Sequence, residues 1–259
     1  MLGTPLTDWH SLDLAALTGI IAVFPGRRDT AVMARRPKAL GSIVAALEED
    51  ILFGRLRTRE RLIEDELIGR FGATRHVVRQ VLVELERKGM VVRVRGRSTV
   101  VRDFSRDEVE QICAVREMLH AHAAALIPMP APSALLRKLE SLHGAHGNAV
   151  EAGDPAGIHR ANNAFHEALF EACGNPFLLQ SIRDYAQMSL GFRCHVMVNP
   201  FLARRARDEH KAMIAALKKG DRAGLVRLCV EHTRPSKRVY MSMQGWPEAE
   251  PPARRKRQT

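Results

Sequence analysis

The stretch TRHVVRQVLVELERKG, Thr74–Gly89, constrains the fold of this chain more than any other. Val78, Val81, Leu82 and Leu85 recur at i, i+3, i+4 and i+7, which puts them on one face of a helix that has to be buried. Thr74 can cap that helix, because its hydroxyl accepts from an otherwise unpaired amide of the first turn. Gly89 stands where the helix should end. Arg75, His76 and Arg79 gather off the stripe near the N-terminal end, where donors can meet a phosphate or a base edge. Taken alone, a surface helix with solvated arginines fits equally well, so the neighbouring segments decide.

Upstream, Ile43, Val44, Leu47, Ile51 and Leu52 form a helical stripe that Gly54 should stop. The run ERLIEDELIGRFG follows, and its Leu62, Ile63, Leu67 and Phe71 suit a second, shorter helix. Two short helices joined by a tight Gly-containing turn are a helix-turn-helix. Beyond Gly89 the period changes from 3.6 to 2. Val92 and Val94 alternate with Arg93 and Arg95, and Thr99–Arg102 resumes the extended pattern. This predicts a β-hairpin with Arg95, Gly96 and Arg97 at its tip. Three helices and a basic hairpin in this order make a winged helix-turn-helix over residues 38–103, with cations concentrated on the proposed reading helix and wing.

The 259-residue chain carries 40 Lys+Arg against 29 Asp+Glu, a formal +11, which favours a polyanionic partner. Its four cysteines are scattered and form no CxxC pair, which argues against a zinc ribbon or a disulfide scaffold and suits a reducing cytoplasm. Residues 1–37 show no clear period and are expected to be a poorly ordered extension. Within them Leu14–Phe24 is too short to span a membrane and lacks a basic flank for a signal peptide.

Ser105 followed by Glu108 fits a capping box after a hinge at Asp103-Phe104-Ser105. From 104 to about 240 the pattern is helical. Ile112, Val115, Met118 and Leu119 mark the first helix and Leu135–Val150 the next. Asp154-Pro155 opens a third, Phe177–Val198 reads as one long helix, Phe201–Lys219 ends at Gly220, and Asp221 caps the last. The architecture expected is mainly α, a winged helix-turn-helix followed by an all-α antiparallel bundle. A basic tail, 241–259, is expected to be disordered.

Eleven histidines are present, and most should be surface or ordinary core residues. Asn162 and His166 share a helix face, His210 sits near the start of a later helix, and His232 lies near the end of the last. Helix pairs with short connections pack antiparallel, which can bring His210 and His232 level. Three imidazoles and an amide oxygen would make a metal site with open positions. From spacing alone, unrelated histidines are the plainer account.

The run ERLIEDELIGRFGATRHVVRQVLVELERKGMV resembles the N-terminal domain of GntR-superfamily transcription regulators. NNAFHEALFEACGNP, RDEHKAMIAALKKGD and LCVEHTRP resemble the all-helical FCD effector domain of that superfamily's FadR branch. The resemblance spans about residues 40–240. It implies that Thr74, Arg75, His76 and Arg79, with the wing tip Arg95, Gly96 and Arg97, contact double-stranded operator DNA. It also implies a divalent metal of the zinc, nickel or manganese class on Asn162, His166, His210 and His232, and a small carboxylate effector held with its help. Arg116 falls where such regulators often place an arginine near the pocket. Departures are His76 for the usual Thr, Val77 for Pro or Thr, Arg57-Thr58 for a Pro-Gly turn, Asn162 for Asp, and His120 for a common Glu.

One winged helix covers only a half-site, so a homodimer on a palindrome is expected. The expected function is a cytoplasmic, ligand-responsive regulator, a repressor by the commoner mode of the family. A metal-dependent hydrolase is the rival reading. It needs a general base near the metal, and the carboxylates adjacent in sequence to the histidines, Glu167, Glu209 and Glu231, should point away from it, since successive helical residues diverge by about 100°. A sequence-indifferent architectural protein is the other rival, and its binding would depend on salt alone.

Overall fold

The computed structural model describes residues 39–94, 98–193 and 199–246. The N-terminal region opens with α1 (Leu40–Leu52), which buries Ile43, Val44, Leu47, Ile51 and Leu52 as the stripe requires. It also buries Asp50, held by Arg55 and Arg70 at 2.5 Å each. Two residues, Arg61–Leu62, then form strand β1 rather than the first turn of a helix. They pair with β3 (Ser98–Val101), Leu62 opposite Thr99. Ile63, assigned by the pattern to a buried stripe, is instead the N-cap of α2 (Glu64–Phe71) and is 42% exposed. A two-residue ladder to a strand nearly forty residues away leaves no local periodicity to read. The acidic start Glu64-Asp65-Glu66 marks the true N-terminus, where the helix dipole favours carboxylates.

Gly72 takes the left-handed conformation at the end of α2, φ 62°, and α3 (Arg75–Arg87) follows. Thr74 Oγ1 accepts from the Val77 amide at 3.4 Å, and Val78, Val81, Leu82 and Leu85 are all buried. Gly89 turns the chain at φ 71°. β2 (Val91–Val94) then pairs antiparallel with β3, giving the sheet order β1-β3-β2. Val91 and Val101 are buried, whereas Val92 and Val94 are 37% and 48% exposed, because the hairpin stands clear of the helical core. The wing tip, Arg95-Gly96-Arg97, lies outside the described residues.

The capping box forms as the sequence predicts: Ser105 Oγ accepts from the Glu108 amide, and Glu108 accepts from the Ser105 amide at 2.9 Å. It opens α4 (Arg106–Leu126). The apolar stripe read from the sequence is not the buried one. Met118 is 61% exposed, and the inward face is Val109, Cys113, Arg116, His120, Ala123 and Ala124. Two polar residues have taken the inner face because that face lines a cavity.

Next come α5 (Ser133–Glu151), α6 (Pro155–Glu171) and α7 (Pro176–Met188). The long helix expected over Phe177–Val198 breaks at Ser189, which is fully buried and donates to the Ala186 carbonyl. A single turn, α8 (Leu190–Arg193), resumes, and residues 194–198 lie outside the description. α9 (Pro200–Lys219) ends at Gly220, φ 70°, and α10 (Arg222–Glu231) is capped by Asp221. α10 is not the last helix. The chain bends at His232-Thr233 into α11 (Arg234–Met243). Trp246 still packs against this end of the structure, so order extends past the expected start of the tail.

Several contacts join the helical region to the winged helix. Leu190 of α8 belongs to the winged-helix core, beside residues such as Leu52 and Val81. Phe192 meets Phe104 edge-on at 5.3 Å and lies 5.8 Å from Tyr240 of α11. Tyr240 donates its hydroxyl to Asp103 at 2.9 Å, and Asp103 also holds Arg59 at 2.5 Å. Gly191 is close to obligatory here, since a Cβ would come within 2.9 Å of the Phe104 ring. Leu190→Ala should cost about 2–5 kcal/mol, the range for truncating a buried leucine. Chemical denaturation should show it as a fall in the winged-helix transition, and an unchanged midpoint would remove Leu190 from that core.

Candidate functional site

The reading head is α3. Thr74, Arg75, His76 and Arg79 are all exposed, at its leading end. Neither arginine is loose. Arg75 reaches Asp65 at 2.6 Å, and Arg79 lies 3.1 Å from Glu64, both acids at the start of α2. These ion pairs are more than half exposed on the arginine side, so each is worth well under 1 kcal/mol. They orient the guanidiniums while leaving them exchangeable for phosphate or base edges. Arg93 on the wing is paired with Glu86 at 3.1 Å.

The second feature is a cavity of about 410 Å³ inside the helical region. His166 from α6 and His232 from the α10–α11 bend line it, and the fully buried His210 from α9 meets them there, with ligand atoms all within 4.8 Å of one another. His166 and His210 face each other at 3.3 Å between Nε2 atoms. His210 lies in the middle of α9 rather than near its start, because that helix begins at Pro200. Nitrogens on one metal at bonds of about 2.0–2.1 Å stand no more than about 4.2 Å apart. A slight closure of the three rings would therefore satisfy a divalent ion. Burial pulls the pKa of His166 and His210 well below the ordinary value, and neighbouring histidines add to the effect, so both are neutral and carry a free lone pair. Asn162, buried one turn before His166, lines the same cavity.

Glu209 corrects the sequence reading. It does not point away from the cluster. It is buried, and its Oε2 lies 2.6 Å from His232 Nδ1 while Oε1 accepts from Arg205 at 2.7 Å. Burial alone would raise its pKa, but the bonds to His232 and Arg205 prevail and hold it lowered, hence ionised. With Nδ1 turned to Glu209, Nε2 is the nitrogen that His232 would offer a metal, the carboxylate–histidine arrangement of metal sites. The sequence argument treated only the helix that Glu209 shares with His210. The histidine it serves comes from another helix. Glu167, by contrast, is engaged by Arg183 at 3.0 Å.

Arg116 is 4% exposed and lines the cavity, and neither its Nε nor its Nη1 has a hydrogen-bond partner among the described residues. His120, one turn on, is 5% exposed and also lines it. His146, which the sequence gave no role, is fully buried with both ring nitrogens unpartnered among the described residues, and its ring stands edge-on to His210 at 4.9 Å. Burial takes its pKa down to about 4. No periodic signal singles it out, since an imidazole on an otherwise mixed helix reads as surface. Ala45, Glu48, Glu49 and Leu52 of α1 also line the cavity, so the winged helix itself forms part of its wall.

Family models match both halves: the gntR family of bacterial regulatory proteins over residues 40–101, and the FCD domain over residues 111–234. The chain belongs to the GntR family, in the branch that carries an FCD effector-binding domain. Its members are transcription regulators that bind operator DNA, not enzymes, so the hydrolase reading falls away. No curated protein sequence matches the chain significantly. Among solved structures, it is similar to Escherichia coli McbR/YncC, 22% identical with a TM-score of 0.65 over 80% of this chain and 99% of that one. A GntR transcriptional regulator from Rhodococcus sp. RHA1 is 16% identical with a TM-score of 0.61, over 78% and 97% of the two chains. Lar of Listeria monocytogenes is 16% identical with a TM-score of 0.56, over 81% and 99%. At these identities the likeness is one of fold. No described helix is long and apolar enough to cross a membrane.

Two substitutions test the triad and its support. His166→Ala with His210→Ala should remove bound metal measured by elemental analysis of protein purified without chelator. Metal retained at wild-type stoichiometry would dismiss the triad. Glu209→Gln should weaken metal binding by about 10–100-fold, the usual cost of losing a carboxylate behind a histidine ligand, and an unchanged affinity would make the Glu209–His232 bond merely structural.

Proposed function

We propose that the chain is a homodimeric repressor whose operator binding responds to a small carboxylate held in a metal-containing cavity. The single observation that carries this reading is the shared wall: the cavity lined by Arg116, His166 and His232 is also lined by Ala45, Glu48, Glu49 and Leu52 of α1 in the winged helix. A ligand there acts on the placement of the reading head without a long relay. Arg116 meets the carboxylate, because a buried guanidinium with two unpartnered N–H groups needs an anion. Asn162, His166, His210 and His232 hold the ion, which would supply a Lewis-acidic anchor for a carboxylate oxygen. Asn162 brings no charge, which leaves the ion more cationic toward an anionic ligand and more weakly bound. The protein acts where its DNA is, in the cytoplasm.

An anion in the cavity faces Glu48 and Glu49 on α1. Their repulsion, added to a changed fit against Leu52, favours an arrangement in which the winged helix is displaced. The ligand shifts the equilibrium only by its unequal affinity for the two arrangements. Coupling also has a mechanical line. His232 sits at the bend from which α11 runs to Tyr240, and Tyr240 holds Asp103 at the hinge.

On α3, Thr74, Arg75, His76 and Arg79, with the wing tip Arg95, Gly96 and Arg97, contact the major groove and its phosphates, one half-site per protomer of a palindrome. Arg79→Ala should cost about 1–3 kcal/mol on an operator selected from random DNA if it reads a base, and much less on scrambled DNA. Fluorescence anisotropy on both duplexes checks this. Equal wild-type affinity for selected and scrambled DNA would instead favour a sequence-indifferent architectural protein.

A further inference from the structure

Successive residues of a helix turn by about 100°, so the buried stripe of α3 fixes which of its side chains point straight out. Opposite Val78, Val81, Leu82 and Leu85 stand His76, Gln80 and Val83, at i, i+4 and i+7, and all three are exposed. Arg75 and Arg79 lie to one side of that line, where Asp65 and Glu64 of α2 hold them. On the other side Glu84 is engaged by Arg87 at 2.6 Å. When a recognition helix enters the major groove, its outermost line meets the base edges and its flanks meet the phosphates. The line of His76, Gln80 and Val83 is therefore the one nearest the bases.

The side chains on that line differ in what they offer. Val83, 50% exposed, has no polar group. Gln80 is neutral, and its carboxamide carries a donor and an acceptor side by side. It makes no side-chain hydrogen bond among the described residues, unlike its neighbours Arg79 and Glu84. It also lies within the first two turns of α3, the part of a recognition helix that reaches base edges. His76, Arg79, Gln80 and Val83 line one open recess with Leu40, which leaves the carboxamide room to extend. In the major groove adenine alone sets an acceptor, N7, next to a donor, N6–H. Guanine presents two acceptors, thymine an acceptor and a methyl, and cytosine a donor.

We propose that Gln80 reads an adenine in each operator half-site, its Nε2 donating to N7 and its Oε1 accepting from N6–H. This rests on α3 entering the major groove, as proposed above. Operators selected from random DNA, in parallel with full-length wild type and with Gln80→Ala, test it. The variant keeps the fold, since the side chain is exposed and alanine is the better helix former. One adenine per half-site should dominate the wild-type selection and lose its preference in the variant's. By fluorescence anisotropy, Gln80→Ala should bind the wild-type operator about tenfold or more weaker, with the same dependence on salt, because no cation has been removed. 7-Deazaadenine at that position lacks the N7 acceptor. It should weaken wild-type binding about threefold or more, the cost of one hydrogen bond, and leave binding by Gln80→Ala unchanged.

Selection of the same sequence by Gln80→Ala, with undiminished affinity, would overturn the assignment. So would a loss of preference at a base other than adenine, or a 7-deazaadenine penalty as large in the variant as in wild type. Equal weakening of the variant on selected and scrambled DNA would make Gln80 a backbone contact and overturn it too. If Arg79→Ala still loses operator affinity in those cases, α3 stands as the reading helix and only the role of Gln80 falls. A wild-type protein that selects no sequence would overturn both the inference and the reading it rests on.

Discussion

A polar atom buried without a partner costs about 1–3 kcal/mol, and the helical half of this protein holds several of them around one cavity. Arg116, His120, His146, His166 and His210 each contribute at least one such atom. A helical bundle built only for stability would fill these inward positions with Leu or Met. Here the apolar core of the bundle, Phe165, Leu169, Met213, Leu217 and their neighbours, surrounds the polar cluster and carries the stability that the cluster gives up. The cavity is thus a place where folding has been compromised for binding, and its geometry follows from that. α4 turns a guanidinium and an imidazole inward, α6 and α9 bring two more rings together, and the bend at His232-Thr233 delivers a third.

The same cavity lies against the winged helix. α1 and α8 lie against each other where the cavity ends. Leu190 is inserted in the winged-helix core, Phe192 is packed on Phe104, and Tyr240 holds Asp103. Cavity, hinge and winged-helix core are therefore joined through neighbouring side chains rather than a distant chain of contacts. On the DNA side, Glu64 and Asp65 keep Arg79 and Arg75 extended but only weakly held, so the free protein is already arranged for anions.

Much of this was legible in the sequence where local periodicity and tertiary role coincide. Thr74, the stripe Val78–Leu85 and Gly89 define α3 because its buried face, cap and stop are all local. Ser105 and Glu108 fix the start of α4 for the same reason. The reading failed where a residue's role depends on something distant. Leu62 joins a strand through Thr99, which no window around residue 62 contains. The true inner face of α4 was missed because apolar periodicity assumes an apolar interior, and Arg116 and His120 violate that assumption by lining a cavity. Glu209 was misjudged by considering its own helix alone. Asn162, His166, His210 and His232 were singled out by spacing and by family resemblance together. Spacing by itself did not separate them from His146, which stands beside His210 just as closely.

The central claim is that occupancy of the cavity and operator binding are linked through one equilibrium, and linkage is reciprocal. The most direct test measures the affinity of the protein for a small carboxylate found to bind it in a thermal-shift screen, by calorimetry, alone and saturated with an operator selected from random DNA. The account predicts weaker acid binding in the DNA complex, by the same factor as the acid weakens operator binding. Identical acid affinities in the two states would contradict it.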